Sequence, residues 1–291
     1  MIAYLSSLAT LVAIFGILAV TLNFMVGYAG IFSVAHAVFF GIGAYAGAQV
    51  ALHLVPDALA ACAVAALIAG GLSLCLALPA LRVRGEYFVA ASLGLQMMAL
   101  TLFSETKSLT GGLGGLIGIP PPRILGFAVG ALPLALVALA LILGAIAAMA
   151  RGSFGRTLQA IRDAESAAEA LGKNVAVAKA LAVAFACAGA GVAGALFALH
   201  MQFVNVESFT LEQSVLIMAM VIVGGTGTLW GPLLGAVLLL SLPAGLAFLP
   251  FIPATEVGAV QQIVYGLAMT LLMVFRPAGL LGDLARGRSA A

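Results

Sequence analysis

The chain has 291 residues, of which 64% are hydrophobic and only 8% are charged, and its mean hydropathy is +1.24. A soluble domain of this composition would expose an apolar surface to water, so the sequence predicts an all-α, polytopic transmembrane helix bundle forming one domain over residues 1–291. The formal net charge of +2 provides no basic field for nucleic acid. Cys62, Cys75 and Cys187 lie in apolar runs without paired spacing or nearby histidines, so we expect no metal or redox site.

Apolar stretches of about 20 residues cross a hydrocarbon core of about 30 Å. On that measure the sequence contains nine candidate spans, at 2–22, 31–52, 58–81, 86–104, 124–150, 176–199, 211–223, 231–249 and 257–275. The seventh is short and a glycine-rich stretch follows it that is compatible with a re-entrant segment, so the expected number is eight to ten. The first run lacks a basic start and a small-residue cleavage site, and we therefore expect a membrane span and not a removed signal.

Basic residues orient the predicted spans. Ten fall on one side of the membrane, namely Arg82, Arg84, Arg151, Arg156, Arg162, Lys173, Lys179, Arg276, Arg286 and Arg288. Only Lys107 and Arg123 fall on the other side. Because basic residues concentrate on the cytoplasmic side, the N-terminus is predicted outside and the C-terminus in the cytoplasm.

Glycines punctuate two connections between spans. Gly27 and Gly30 lie between the first two spans, and Gly224, Gly225 and Gly227 follow the seventh. Irregular backbone at membrane depth survives only where protein or water satisfies it, so the first connection is either a plain cytoplasmic turn, which we favour, or a broken segment lining a cavity. All five are interpreted as structural glycines of turns.

Polar residues in and after the fourth span are candidates for the substrate path. Gln96 lies about ten residues into that span, where its amide either links helices or contacts a solute. The following stretch, residues 108–122, contains five glycines and three prolines. It either presents bare amide groups to a carboxylate or serves as a tight external connector. The candidates in this stretch are Thr110, Gly111, Gly112 and Gly115.

The sixth span contains small residues at four-residue spacings, including Ala190 with Gly194 and Gly191 with Ala195. Such surfaces let helices approach closely in lipid. The contact lies either within this chain, which we favour, or with a partner.

Residues 151–174 form a long polar interval in an otherwise hydrophobic chain. Leu158, Ile161, Ala164, Ala168 and Leu171 recur in it at helical spacing, which predicts one amphipathic helix over about 153–172. Its predicted length is about 24 Å at a rise of about 1.5 Å per residue. Ser153 is expected to cap its start and Gly172 to end it. The helix either docks on a partner or is an ordinary interfacial helix.

Several motifs occur in an order that resembles one family. They are Arg84-Gly85-Glu86-Tyr87-Phe88; Leu109-Thr110-Gly111-Gly112 with Gly115 and Gly118-Ile119-Pro120; Ala160-Ile161-Arg162 with Ala167-Ala168-Glu169-Ala170-Leu171-Gly172 and Asn174; and Gly224-Gly225-Thr226-Gly227-Thr228-Leu229-Trp230-Gly231-Pro232. Together they are similar to the LivM-type permease subunit of bacterial branched-chain amino acid ABC importers.

The resemblance implies a multi-pass permease subunit of the bacterial inner membrane that is not itself an enzyme. It implies a second, LivH-type permease, two cytoplasmic ATPase subunits that use ATP and Mg, and a periplasmic amino-acid-binding protein, with membrane lipid around the spans and no cofactor on this chain. It also implies that the helix at 153–172 couples the spans to an ATPase. The candidate contact residues are Arg156, Arg162, Glu165, Ala168, Glu169, Leu171 and Gly172.

Substrate identity is less constrained. Family members often carry an acidic residue and, three positions later, a basic residue in the fourth span, where this chain has Met97 and Leu100. Branched-chain amino acids are the expected substrates, with related amino acids, urea or amides as alternatives.

A secondary transporter is the alternative class. It would need carboxylates at midplane depth, yet the glutamates fall at predicted span ends or in loops. No Gly-x-x-x-x-Gly-Lys-Ser/Thr loop is present, so ATP hydrolysis is expected on another chain.

Overall fold

The computed structural model describes residues 2–80, 85–124 and 126–246, together with residues 260, 262–264, 266–267, 270–271 and 279–281. Helices dominate these residues. The α-helices are α1 (Ile2–Asn23), α2 (His36–Gln49), α3 (Ala58–Ala80), α4 (Gly85–Glu105), α5 (Lys107–Thr110), α6 (Ala131–Arg151), α7 (Ser153–Asp163), α8 (Glu165–Ala170), α9 (Val175–Met201), α10 (Leu211–Gly224) and α11 (Gly231–Leu246). The prediction of an all-α membrane protein is confirmed.

Short irregular elements complete the described fold. A π-helical turn, Phe24–Tyr28, extends α1, and another, Val50–Leu54, extends α2. Single 3-10 turns occur at Gly112–Gly114 and Val206–Phe209. Four two-residue strands form two antiparallel pairs, in which β1 (Leu116–Ile117) pairs with β4 (Phe203–Val204) and β2 (Arg123–Ile124) pairs with β3 (Phe127–Ala128).

Six helical segments in the described residues are long and apolar enough to cross a membrane. They are Ala3–Tyr28, His36–Leu54, Tyr87–Glu105, Ala131–Arg151, Val175–Met201 and Val206–Gly224. The third and eighth predicted spans correspond to the shorter apolar segments Ala58–Leu74 and Gly231–Leu242. The ninth, at 257–275, lies mostly outside the described residues. The count of nine spans and the orientation of the termini therefore stay predictions.

The fifth predicted span begins later than expected. The sequence placed its start at residue 124, whereas α6 begins at Ala131. β2 and β3 form an antiparallel pair before this helix, and Gly126, directly before β3, has a positive φ of 87°. Gly130, with extended backbone, then starts the helix. An apolar sequence alone did not distinguish this turn from the first residues of a span.

The long helix α9 packs against α2 and α3 through small residues. A Cβ added at Gly194 would overlap the carbonyl of Phe40, and one added at Gly43 would overlap the backbone of Gly191. A Cβ at Gly191 would also lie 2.6 Å from the carbonyl oxygen of Ala65. The close contact predicted for the sixth span thus lies within this chain, where backbone-to-backbone packing replaces large side chains.

Candidate functional site

The polar interval folds as two helices, α7 and α8, which we call the helix pair. The prediction of one continuous helix over 153–172 is wrong, because Ala164 is extended, with φ −157° and ψ 92°, and separates them. Lys179 of α9 makes a 2.7 Å ion pair with Glu165, the first residue of α8. The carboxylate lies in the first turn of α8, where the helix dipole favours a negative charge.

The sequence predicted the C-terminal end of the helix pair correctly but not the residue that caps its N-terminal end. Ser153 was expected as the cap, but Gly152 holds that position and Ser153 already lies in α7. The chain passes from α6 to α7 through this one extended residue, since the Gly152 amide still bonds the carbonyls of Ala148 and Met149. Gly172 does end the interval, with φ 77° and its amide on the Glu169 carbonyl at 2.8 Å.

The faces of the helix pair are clearly divided. Leu158, Ile161 and Ala168 are buried in the core, as the pattern predicted. Leu171 was expected on the same apolar face, yet 79% of it is exposed, because it follows α8 beyond the break at Ala164. Glu169 is exposed beside it. Leu171 and the carboxylate of Glu169 therefore both lie on the protein surface at the C-terminal end of α8.

Arg156 and Arg162 behave differently although both belong to α7. Arg156 is exposed and its Nη1 donates to the nearby carbonyl of Arg151 at 3.2 Å. The Nη1 of Arg162 instead donates to the carbonyl of Gly27 at 2.6 Å, and its Nε and Nη2 donate to the carboxylate of Asp163 at 2.9 and 2.8 Å. The sequence interpretation grouped Arg162 with partner-facing residues, whereas in the structure it contacts the π-helical turn that extends α1.

The end of α1 also meets the connection between α10 and α11. Asn23 accepts a hydrogen bond from the Gly227 amide at 2.9 Å and donates to the Thr228 carbonyl at 2.7 Å. A Cβ on Gly27 would overlap the Gly227 amide, so position 27 requires glycine for this backbone contact, and Gly227 itself has a positive φ of 77°. Gly27 lies in the π-helical turn, whereas Gly30 has a positive φ of 70°.

The connection between α1 and α2 is an irregular, partly buried segment. Ile31, Ser33 and Ala35 are buried in the stretch between the helices. The Val34 amide donates to Ser92 Oγ at 3.0 Å, so the irregular backbone receives a partner from α4. Gly30 and Phe32 of the same stretch are exposed, so whether this connection is a cytoplasmic turn or a broken segment lining a cavity stays a prediction.

Gln96 lies in this buried region, fully enclosed. Its Nε2 donates to the Phe209 carbonyl at 2.7 Å and its Oε1 accepts from Ser214 Oγ at 3.2 Å. The two ends of the amide thus join α4 to the 3-10 turn Val206–Phe209 and to α10, which is the linking role that the sequence left open. Its place on a substrate path stays a prediction.

The glycine loop, residues 108–122, is a closed structure. Thr110 is buried, and its hydroxyl lies 2.6 Å from the Phe103 carbonyl, to which it donates. The amides of Gly111, Gly112 and Gly115 have acceptors at the Lys107 carbonyl, Thr110 Oγ1 and the Gly112 carbonyl, respectively. These three amides are therefore not bare, as an anion-binding loop would require.

Close backbone contacts account for Gly111 and Gly115 of this loop. Gly111 and Gly115 have positive φ angles of 73° and 70°. A Cβ on Gly115 would overlap the Val204 carbonyl, beside the β1–β4 pair. The loop is thus attached to the end of α9, and its substrate-path role stays a prediction.

Gly224 and Gly225, interpreted as turn glycines, occupy the end of α10. A Cβ on Gly224 would overlap the Gly231 carbonyl, and Gly225 has a positive φ of 116°. The amides of Leu280 and Leu281 donate to the Val223 and Gly224 carbonyls at 3.0 Å. Within the described part of the chain, no three His, Cys, Asp or Glu side chains are grouped as metal ligands would be.

Comparison with known proteins identifies the family. The profile of the family described as "Branched-chain amino acid transport system / permease component" matches residues 4–274. Over 301 aligned positions, the chain is 30% identical to the "High-affinity branched-chain amino acid transport system permease protein LivM" of Escherichia coli (strain K12) and 31% identical to the protein of that name from Salmonella typhimurium. Each alignment covers 94% of this chain and 69% of the relative.

A third relative is more distant. The "Probable branched-chain amino acid transport permease protein LivM" of Methanocaldococcus jannaschii is 24% identical over 220 positions, covering 71% of this chain and 63% of that protein. No solved structure matches the chain. The matches confirm the resemblance to LivM-type permeases, and the chain belongs to the family of permease components of branched-chain amino acid transport systems.

Proposed function

We propose that this chain is a transmembrane subunit of an ATP-driven importer that moves branched-chain amino acids across the bacterial inner membrane. The observation that carries the proposal is the family match over residues 4–274. The named relatives are branched-chain amino acid permeases. They favour that substrate class over the urea and amide alternatives.

The proposed partners are a second permease, two ATPase subunits that use ATP and Mg, and a periplasmic amino-acid-binding protein. The helix pair supports an ATPase contact. It is anchored to the rest of the protein, with Leu158 and Ile161 buried and Glu165 paired to Lys179, while Leu171 and Glu169 are exposed. A coupling element needs this combination, because it must contact a partner and still move with its own spans.

The proposed orientation places the helix pair and the C-terminus in the cytoplasm and the glycine loop outside. The excess of basic residues on the helix-pair side supports it. In this orientation the glycine loop lies at the external mouth, where the binding protein would deliver the amino acid. Its fixed backbone would give that mouth a defined shape.

Purification from the native membrane tests the subunit composition. A tag on this chain should recover ATPase subunits and a second permease in fixed ratio. The Leu171→Glu variant tests the ATPase contact, because it should lower recovery of the ATPases and leave the second permease bound. Recovery of the chain alone, active in moving solute along a proton gradient, would contradict the proposal and support a secondary transporter.

A further inference from the structure

Arg162 donates a hydrogen bond to a backbone carbonyl at the end of α1. In an unbroken α-helix, the Ile31 amide would donate to the Gly27 carbonyl, four residues earlier. Here the Ile31 amide donates to the Met25 carbonyl at 3.1 Å, and the Gly30 amide donates to Val26. The Gly27 carbonyl accepts from Arg162 Nη1 at 2.6 Å instead. A guanidinium therefore caps the C-terminal end of a membrane-spanning helix, where a positive charge is favourable.

The guanidinium is held in this orientation from two sides. The Asp163 carboxylate accepts from both Nε and Nη2, and the Arg162 side chain is 29% exposed. Gly30 lies against its stem, because a Cβ there would be 2.7 Å from Arg162 Cγ. Glycine at position 30 thus makes room for the arginine, and a larger residue would displace it.

The contact joins elements that are not neighbours in sequence. The helix pair is continuous with α6 and α9, whereas α1 lies more than a hundred residues away, 135 positions separating Arg162 from Gly27. Through Asn23 and Gly227, the end of α1 is bonded in turn to the connection between α10 and α11. We call Arg162, Gly27, Asn23 and Gly227 the junction.

We propose that Arg162 is a positioning residue for energy coupling, which makes the helix pair and the end of α1 move as one unit. This inference rests on the proposed function. Motion imposed on the helix pair by the ATPase reaches α6 and α9 through the chain itself. α1 already packs along α6 and α9, and the junction adds a direct hydrogen bond from the helix pair to the end of α1, next to the α10–α11 connection. Loss of the Arg162 contact then weakens the connection between ATP hydrolysis and movement of the end of α1.

The experiment measures amino acid moved per ATP hydrolysed in the reconstituted complete complex. Arg162→Ala should lower this ratio by about tenfold, within the usual range of coupling between sites, at equal subunit content. Arg151→Ala is the matched control, since it removes an exposed arginine from the end of α6. It should keep the wild-type ratio. An unchanged ratio in Arg162→Ala, or an equal loss in Arg151→Ala, would overturn the proposal.

A disulfide gives a second test that does not depend on the alanine variant assembling. A Cβ on Gly30 would lie 3.3 Å from Arg162 Cβ, close to the separation of about 3.5–4.5 Å in disulfides. In a chain whose Cys62, Cys75 and Cys187 are replaced by alanine, Gly30→Cys with Arg162→Cys should couple poorly when reduced. Oxidation should restore at least half of the ratio, because the covalent bond replaces the junction contact.

Complete block of transport on oxidation would overturn the inference, since it would show that the two elements must separate during the cycle. No recovery on oxidation, with the disulfide formed, would also overturn it. Failure of the proposed function looks different. In that case the unmodified complex itself moves no branched-chain amino acid at the expense of ATP.

Discussion

Ser214, near the start of α10, donates a hydrogen bond of 3.2 Å to Gln96 on α4. The same hydroxyl accepts from the Ala37 amide of α2 at 3.0 Å, so one serine joins three helices at a buried point. Gln96 extends the connection to the Phe209 carbonyl. Because unpartnered polar groups are costly in the membrane interior, each member depends on the others.

Gln96→Leu should therefore lower the stability of the complex. The change leaves the Phe209 carbonyl and the Ser214 hydroxyl without their partner, at a cost of about 1–3 kcal/mol. Thermal unfolding of the purified complex checks the loss, and KM for uptake is measured in parallel. A raised KM with unaltered thermal stability would contradict a structural role and assign Gln96 to the substrate path.

Gly115→Ala should disturb the glycine loop, whereas Gly114→Ala should not. The first change puts a Cβ against the Val204 carbonyl at φ 70° and ψ −177°, a backbone region used almost only by glycine, at a cost of about 1–3 kcal/mol. The second places a Cβ where no atom lies within 4 Å. Uptake with saturating binding protein and thermal stability are measured for both variants, and both quantities should fall only in Gly115→Ala. Equal behaviour of both variants would show that the loop tolerates a shifted backbone.

Charge insertion should separate the two faces of the helix pair. Leu158→Glu buries a carboxylate without a partner, which costs several kcal/mol, so the chain should fail to assemble. Leu171→Glu changes an exposed side chain, so insertion and folding should be normal. Stimulation of ATP hydrolysis by loaded binding protein should nevertheless fall. Full ATPase stimulation and full uptake in the Leu171→Glu complex would contradict an ATPase contact at this surface and indicate an ordinary interfacial loop.

Labelling of single cysteines tests the orientation. Ser108 and Ser153 are both exposed, one in the glycine-loop region and one at the start of α7. With the native cysteines replaced by alanine, a membrane-impermeant reagent should label Ser108→Cys in intact cells and Ser153→Cys only after the membrane is opened. Labelling of both from the same side would exclude the proposed topology and, with it, the ATPase contact of the helix pair.

Local sequence patterns predicted much of the fold because their causes are local. Apolar length predicted most of the spans, and small residues at four-residue spacing predicted the tight packing of α9. Gly172 ended the polar interval because the terminating conformation has a positive φ, which glycine adopts at little cost. In each case the residues that set the structure are close to it in sequence.

Features that depend on distant contacts were missed. No residue around Ala164 breaks a helix by preference; the extended backbone there accompanies the Glu165–Lys179 pair and the burial of Ala168. Arg162 has the sequence pattern of a solvent-facing residue, and its partner, Gly27, is identified only when α1 lies beside α7. The sequence contained two signals for this contact, namely a basic residue at the end of an amphipathic helix and a glycine-rich end of the first span.

ATP-dependent uptake of radiolabelled leucine into proteoliposomes tests the central claim most directly. The complete complex, purified through this chain and supplied with binding protein, should accumulate leucine only when ATP and Mg are present on the ATPase side. Excess unlabelled isoleucine or valine should compete, and urea should not. Uptake that follows an imposed proton gradient without ATP, or no leucine uptake with a catalytically active complex, would contradict the account.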